Sequence, residues 1–489
     1  MTSPTIVHDW LRLLRISYLP GEETSPLLER CARELLARLE AYGHTIVDPP
    51  QGEIDVLLTT APFGKALNWR HALMFTARRR LNLPRAPLVI TLLHATPERF
   101  RSLLDYFEGV LKKDPPDPAD YDFPGLAAPA YRTLFEQGRR GGPILALMRL
   151  LQAQAKCIRL ILVIGHEHPI EAYTFDLVGA HPRTDASDLD HFYTDLALRI
   201  ATAASTSEIN HHETIGDPIP WEIWQSLDAP KAMKVAGREL GKRNFFTEMV
   251  RVDHLAAVPA VPETIARQYS EGCFATWEPR LNALIATITG SARPVVKDDL
   301  TDDELAVIVG VRPDGKGALV RHVEGKRNDP PSSEAVELID MDARLPRITL
   351  DASRWGHNGS VPVTRSKLHG HRGVRSYDPQ RVEFVPVDPP YQHYPVSCST
   401  DAQARAICAA FQRSEALTHP EDPRQIVFTV LPGHGIVIVE KWVAGKAPFQ
   451  AIWEAMDDGS LEISPLVPQG PHTYRPNAEG KMQLYEEGT

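Results

Sequence analysis

The sequence predicts an α/β domain at the N-terminus and, after it, a domain built on a large and mainly antiparallel sheet. Three observations lead there. Helical and strand patterns alternate through residues 1–235, the composition shifts after about Ala236, and short apolar strands dominate from Leu281 onward. The expected division is therefore 1–235 and 236–489, within the two to four domains that 489 residues suggest.

In the first region, Leu27, Leu28, Cys31, Leu35, Leu36 and Leu39 recur at helical spacing between Thr24 and Tyr42. The run from Ile54 to Thr60 is a buried strand. A helix from Trp69 to Leu83 and a strand from Pro87 to Leu93 follow. Strand, helix, strand in that order defines a parallel unit of the doubly wound kind. A helix from Ile144 to Lys156, a strand from Arg159 to Gly165 and a helix from Asp190 to Ala204 continue the pattern.

In the second region the strands are Ala283–Thr287, Leu305–Val309, Val361–Val363, Val382–Val385, Gln425–Val430 and Gly435–Val439. Gln403 to Arg413 is helical by period, and a helix opens at Pro331-Ser332-Ser333-Glu334 and runs through Leu338. The residue content here is α+β.

Composition excludes several classes. Lys plus Arg total 53 against 63 Asp plus Glu, a net charge of −10, with no clustered basic face for nucleic acid. Arg78-Arg79-Arg80 is read as a solvated helix end. No apolar run approaches the ~20 residues that span a bilayer, and no leader pattern opens the chain. Five widely spaced cysteines without a CxxC argue against a disulfide framework and for a reducing, cytoplasmic setting.

Chemistry concentrates in the second half. His369-Gly370-His371 lies at the end of a strand, where side chains at i and i+2 share a face. His434, in Gly433-His434-Gly435 between two apolar strands, is the third imidazole. Three neutral nitrogens with an open position suit a catalytic divalent cation, Zn2+ first. Glu334 is the carboxylate that moves a proton. Ser332 and Ser333 precede a helix, where hydroxyls and free amides bind phosphate. Taken singly these are ordinary features: a capping signature, a turn, a pair of strand histidines. His166-Glu167-His168, at the end of a strand, has no third ligand at a matching spacing, and His211-His212 is read as surface. The loop Thr59–Lys65 lacks Walker A spacing, so the first domain carries no cofactor signature.

In this order, the patterns from about 282 to 455 resemble the class II aldolase/adducin family. The matching stretches are Leu284–Gly290 for the strand and Thr-Gly loop, Leu300–Leu305, Gly325-Lys326, Pro331-Ser332-Ser333-Glu334, the His369/His371 pair and His434. Gly272-Cys273-Phe274-Ala275-Thr276 stands where the family has a first phosphate loop carrying Gly-Asn-x-Ser. The resemblance implies a C-terminal αβα class II aldolase-like domain on a mainly antiparallel sheet, assembled as a homo-oligomer. It implies metal ligands His369, His371 and His434, acid/base Glu334, and a substrate pocket lined by Thr289, Gly290, Ser332 and Ser333. The implied reaction is lyase cleavage of a small hydroxy-carbonyl substrate of the sugar-phosphate kind through an enediolate. Epimerisation, dehydration and decarboxylation use the same parts, and a non-catalytic adducin-like module is the alternative from another class. An insertion around Arg344 to Gly359 separates Glu334 from the histidine pair, with His357 inside it as a competing ligand; Tyr391 and Tyr394 lie where the family draws a proton donor.

Overall fold

The computed structural model describes residues 13–21, 24–48, 53–62, 88–112, 158–175, 183–206, 212–246, 272–289, 297–313, 317–332, 334–355, 357–393, 401–419, 421–432, 434–464, 467–468 and 470–486. The chain divides into two compact units, the first containing Met1–Ser207 and the second Glu208–Glu248 and Tyr269–Thr489. The expected helices at 69–83 and 144–156 lie outside the described residues.

The first unit is a seven-stranded sheet of β1 (Arg15–Leu19), β2 (Thr45–Ile46), β3 (Val56–Pro62), β4 (Leu88–Ala95), β5 (Ile158–Gly165), β6 (Pro169–Phe175) and β7 (Arg183–Asp185). Its order is β2-β1-β3-β4-β5-β6-β7, parallel through β5 and antiparallel for the last two strands. The near-continuous apolar runs of β3, β4 and β5 suit parallel strands buried on both faces. The helix Pro26–Ala41 is fixed at its start by Ser25, whose hydroxyl accepts from the Leu28 amide, and by Pro26 in its first turn. Gly43, with φ +92°, follows the helix in the left-handed conformation that suits its end. Its stripe of Leu27, Leu28, Cys31, Leu35 and Leu39 packs with Phe192, Leu196 and Ile200 of helix Leu189–Thr206 over Ile16, Val56, Leu58 and Ile90. Each such aliphatic side chain contributes about 1.5–3 kcal/mol on burial.

The second unit holds β8 (Glu213–Thr214), β9 (Cys273–Glu278), β10 (Ala283–Thr287), β11 (Leu305–Val311), β12 (Ala318–Arg321), β13 (Arg347–Leu350), β14 (Gly359–Pro362), β15 (Thr364–Gly370), β16 (Gly373–Tyr377), β17 (Val382–Phe384), β18 (Ile426–Leu431), β19 (Gly435–Lys441), β20 (Leu461–Ser464), β21 (His472–Pro476) and β22 (Met482–Glu486). Nine of them form one sheet, ordered β17-β18-β19-β15-β9-β10-β11-β12-β8. Only its edge pairs, β17–β18 and β12–β8, are parallel. Because β8 pairs with β12 and Trp224 is buried in this unit's core, residues 208–235 belong here, earlier in the chain than the composition shift suggests.

Strand alternation gives this sheet two cores. Phe274, Ile285 and Leu368 face helices Asp228–Lys242 and Gln450–Asp457. Cys273, Ala275, Leu284 and Ala286 face helices Ala335–Arg344 and Asp401–Gln412. The central sheet is thus covered on both sides. The stretch expected as a first phosphate loop is instead strand β9, hydrogen-bonded between β15 and β10. Its side chains pack on both faces of the sheet, Phe274 in one core and Cys273 and Ala275 in the other. Much of the insertion after Arg344 is a hairpin, β13 with β14, that delivers the chain to β15. A separate four-stranded sheet runs β20-β16-β22-β21.

Candidate metal centre

Four side chains from three places in the second unit converge. Glu334, His369, His371 and His434 are all buried, and each offers a ligand atom within 4.8 Å of the others. The imidazole centroids lie 5.2 Å apart for His369 and His371, 5.0 Å for His369 and His434, and 5.7 Å for His371 and His434. The group could hold a metal ion.

Each position has a local cause. His369 is in β15, registered against Val437 of β19 and Cys273 of β9, and His371 follows directly after the strand. His434 sits in the tight turn joining β18 to β19, its amide bonded to the Leu431 carbonyl at 3.0 Å. That turn comes close to β15: a Cβ on Gly435 would lie 2.2 Å from the Gly370 carbonyl oxygen. A side chain is excluded there, so glycine is what allows the third imidazole to reach the pair.

Glu334 arrives from the opposite side. Extended residues after Asp329 add to the end of β10, with the Thr289 amide bonded to Pro330 and the Ser332 amide to Thr287, each at 2.9 Å. Glu334 then takes the N-cap position of helix Ala335–Arg344, yet its carboxylate makes no capping bond. Instead it accepts from the Ser332 hydroxyl at 2.6 Å. A carboxylate that declines the free helix amides is directed by something else, here the imidazole cluster.

The electrostatics separate the roles. Burial works to raise the Glu334 pKa, but His369, the Ser332 hydroxyl, His371 and His434 outweigh it and hold the carboxyl at about 2. For His369 burial dominates and brings the ring down to about 4, against the pull of Glu334. His369 is therefore neutral at physiological pH, the form that ligates. Neither of its nitrogens has a hydrogen-bond partner, although the Ile436 carbonyl lies nearby, and the ring is fully buried. An orphaned buried polar group costs about 1–3 kcal/mol, which a bound cation would offset. The donor set and this orphaned ring fit a divalent metal.

Of the other expected site residues, Ser332 is buried beside Glu334, and Thr289 follows β10, its amide bonded to the Pro330 carbonyl of the segment that carries Ser332. Gly290 and Ser333 lie outside the described residues, as does Tyr394. His357 packs against Gly359 in the β13–β14 hairpin and is absent from the cluster, and Tyr391 packs against the apolar core. In the first unit His166 pairs with Glu98 at 3.2 Å and His168 with Arg30 at 3.0 Å, both exposed.

Sequence patterns missed three groups around the centre. Glu337, one turn beyond Glu334, is buried with neither carboxylate oxygen hydrogen-bonded, and burial together with Glu334 pushes its pKa well up. The Cys273 thiol is likewise pushed up, by burial first and then by Glu334 and Glu337. Lys297 is 3% exposed and its charge acts on both His369 and Cys273. The i+3 spacing on a helix was available for Glu337; no local signal marked Lys297.

No known protein family, curated protein or solved structure matches the chain. Among the described residues no helix is long and apolar enough to cross a membrane.

Proposed function

We propose that the second unit is a metal-dependent lyase of the class II aldolase kind, cleaving a small hydroxy-carbonyl substrate in the retro-aldol direction. The observation that carries this reading is the convergence of three imidazoles and one carboxylate in a buried site. The αβα aldolase-like arrangement, Zn2+ as the cation and a homo-oligomeric assembly belong to the same proposal, supported by the sequence resemblance.

His369, His371 and His434 would hold the cation. Once bound, a divalent cation supplies Lewis-acid polarisation of a carbonyl or hydroxyl oxygen. The proton work falls to Glu334. Its ionised carboxylate accepts a proton from the substrate hydroxyl as the adjacent carbon–carbon bond breaks, then returns it to the carbon that retains the electron pair. Ser332 orients the carboxylate by donating to Oε2, which leaves Oε1 for the proton. Thr289, Ser332, Gly290 and Ser333 are the proposed substrate-binding residues. The buried setting excludes water from the reacting carbons.

Metal analysis of the purified protein tests the centre. Near-stoichiometric Zn2+ in the wild type, falling sharply in His371→Ala and His434→Ala, is the expected result. Glu334→Gln should keep its metal while losing proton exchange on a hydroxy-carbonyl analogue. A wild type without bound metal would overturn the lyase reading, and exchange surviving in Glu334→Gln would remove the role given to that residue.

A further inference from the structure

Helix Ala335–Arg344 carries acids at successive i+3 positions, Glu334 at its N-cap, then Glu337 and Asp340. Side chains so spaced are neighbours on one face, with Cβ atoms about 5–6 Å apart. The column runs outward. Glu334 and Glu337 are buried, the Asp340 side chain is 15% exposed, and Arg344, bonded to Asp340 at 2.7 Å, is open to solvent.

The middle acid has no capping role. A glutamate at the third position of a helix ordinarily reaches back to the N-cap amide. Glu337 does not: neither of its oxygens has a hydrogen-bond partner, and the residue is 1% exposed. A carboxylate sealed from water with no donor on it is strongly disfavoured, so Glu337 is held as the neutral acid. The charge of Glu334 pushes the same way. Glu334 itself, facing the imidazoles, stays ionised. Neighbouring carboxyls driven apart in this manner make one a base and the other an acid.

Two thiols flank the column. Cys273 lies beside the Ser332 hydroxyl and is acted on by the charges of both Glu334 and Glu337. Cys408, on helix Asp401–Gln412, donates to Asp340 at 3.8 Å and is acted on by Glu337 as well. Titratable groups thus line the way from the centre to the surface, through a core otherwise built of Val336, Leu338, Ile339 and Met341. A base as closed off as Glu334 exchanges its proton with solvent only through such neighbours.

We propose that Glu337 is a positioning residue that acts through Glu334, forming with Asp340 a proton relay from the metal centre to solvent. This rests on the lyase reading above. Only protons move. Once Glu334 has taken a proton from the substrate, Glu337 gives its own proton to the Asp340 carboxylate and takes the one held by Glu334. Asp340 then releases its proton to water, which restores ionised Glu334 and protonated Glu337. The same steps in reverse bring a solvent proton to Glu334.

The test uses the full-length protein loaded with Zn2+ and hydroxyacetone as the probe. Two quantities are followed in the first turnover: exchange of carbon-bound hydrogen for solvent deuterium, and oxidation of the enediolate by hexacyanoferrate(III). Oxidation requires that a proton leave the substrate, whereas exchange requires in addition that a solvent proton arrive. The ratio of exchange to oxidation should fall roughly 10- to 100-fold in Glu337→Gln at equal metal content. Asp340→Asn should lower it too, and Glu337→Asp should recover part of it. A ratio in Glu337→Gln equal to that of the wild type overturns the relay, including the case in which both quantities drop together. If the wild type neither exchanges nor oxidises hydroxyacetone, the lyase reading fails instead, and infrared spectroscopy decides the relay. A protonated-carboxyl C=O stretch at neutral pH, absent from Glu337→Gln, that shifts in D2O more slowly in Asp340→Asn than in the wild type supports it. The lack of that band, or an equally fast shift in Asp340→Asn, ends it.

Discussion

The ammonium of Lys367 and the carboxylate of Asp342 lie 2.7 Å apart with both side chains sealed from water. The pair joins β15 to helix Ala335–Arg344, the two elements that present His369 and Glu334. Thr364 supports it by donating to Asp342 at 2.9 Å. Burial pushes the Asp342 pKa up and the Lys367 pKa down, each against the pull of its partner. The interior thus resists both charges, and the ion pair holds them there.

From that balance, Lys367→Met alone should destabilise the second unit by about 3–5 kcal/mol, because it strands a buried carboxylate. Adding Asp342→Leu should restore much of the loss. Urea unfolding of the two single variants and the double variant measures this, and strictly additive losses would show that the two side chains are not coupled.

Gly435→Ala should empty the centre at moderate cost to the fold. Its methyl group would meet the Gly370 carbonyl at 2.2 Å, so the β18–β19 turn must back away and carry His434 with it. Overpacking of this kind costs about 1–3 kcal/mol. The expected outcome is a folded protein with metal content near that of His434→Ala. Full retention of metal would mean that the close approach does not place His434.

The small C-terminal sheet should be acid-sensitive. Burial lowers the pKa of His472, with only a partial counter-effect from the Gly470 carbonyl, 3.1 Å from its Nδ1. Its Nε2 has no partner. A histidine held below its unfolded value binds fewer protons in the native state, so stability is complete above about pH 6.5 and declines as pH falls from there toward the lowered native value. The slope is bounded by one proton, about 1.4 kcal/mol per pH unit. The difference between wild-type and His472→Phe unfolding free energies, followed from pH 7.5 to 5.5, should show this loss. A pH-independent difference would exclude it.

Much of this was legible in the sequence, for identifiable reasons. Helix Pro26–Ala41 carried a period, an N-cap and a proline, and β3 and β5 were near-continuous apolar runs. The His369–His371 spacing announced a shared face because strand geometry is rigid. What escaped depended on partners distant in the chain. β1 is short and half-buried and is recognisable only through its pairing with β2 and β3. β9 belongs to two cores at once and so shows no alternation of polar with apolar residues. The Lys367–Asp342 pair exists only once sheet and helix have docked.

The four-stranded sheet gives the far end of the chain a hold on the centre. β16 begins two residues after His371 and is flanked by β20 and β22. Two of the three imidazoles are therefore tethered on one side to the central sheet and on the other to residues more than a hundred positions downstream in β22. Trimming the chain before His472 should leave the four clustered side chains intact in composition while slackening the anchor of the His369 and His371 pair. Faster loss of metal to a chelator, with little change in how the intact sheet unfolds, would be its signature.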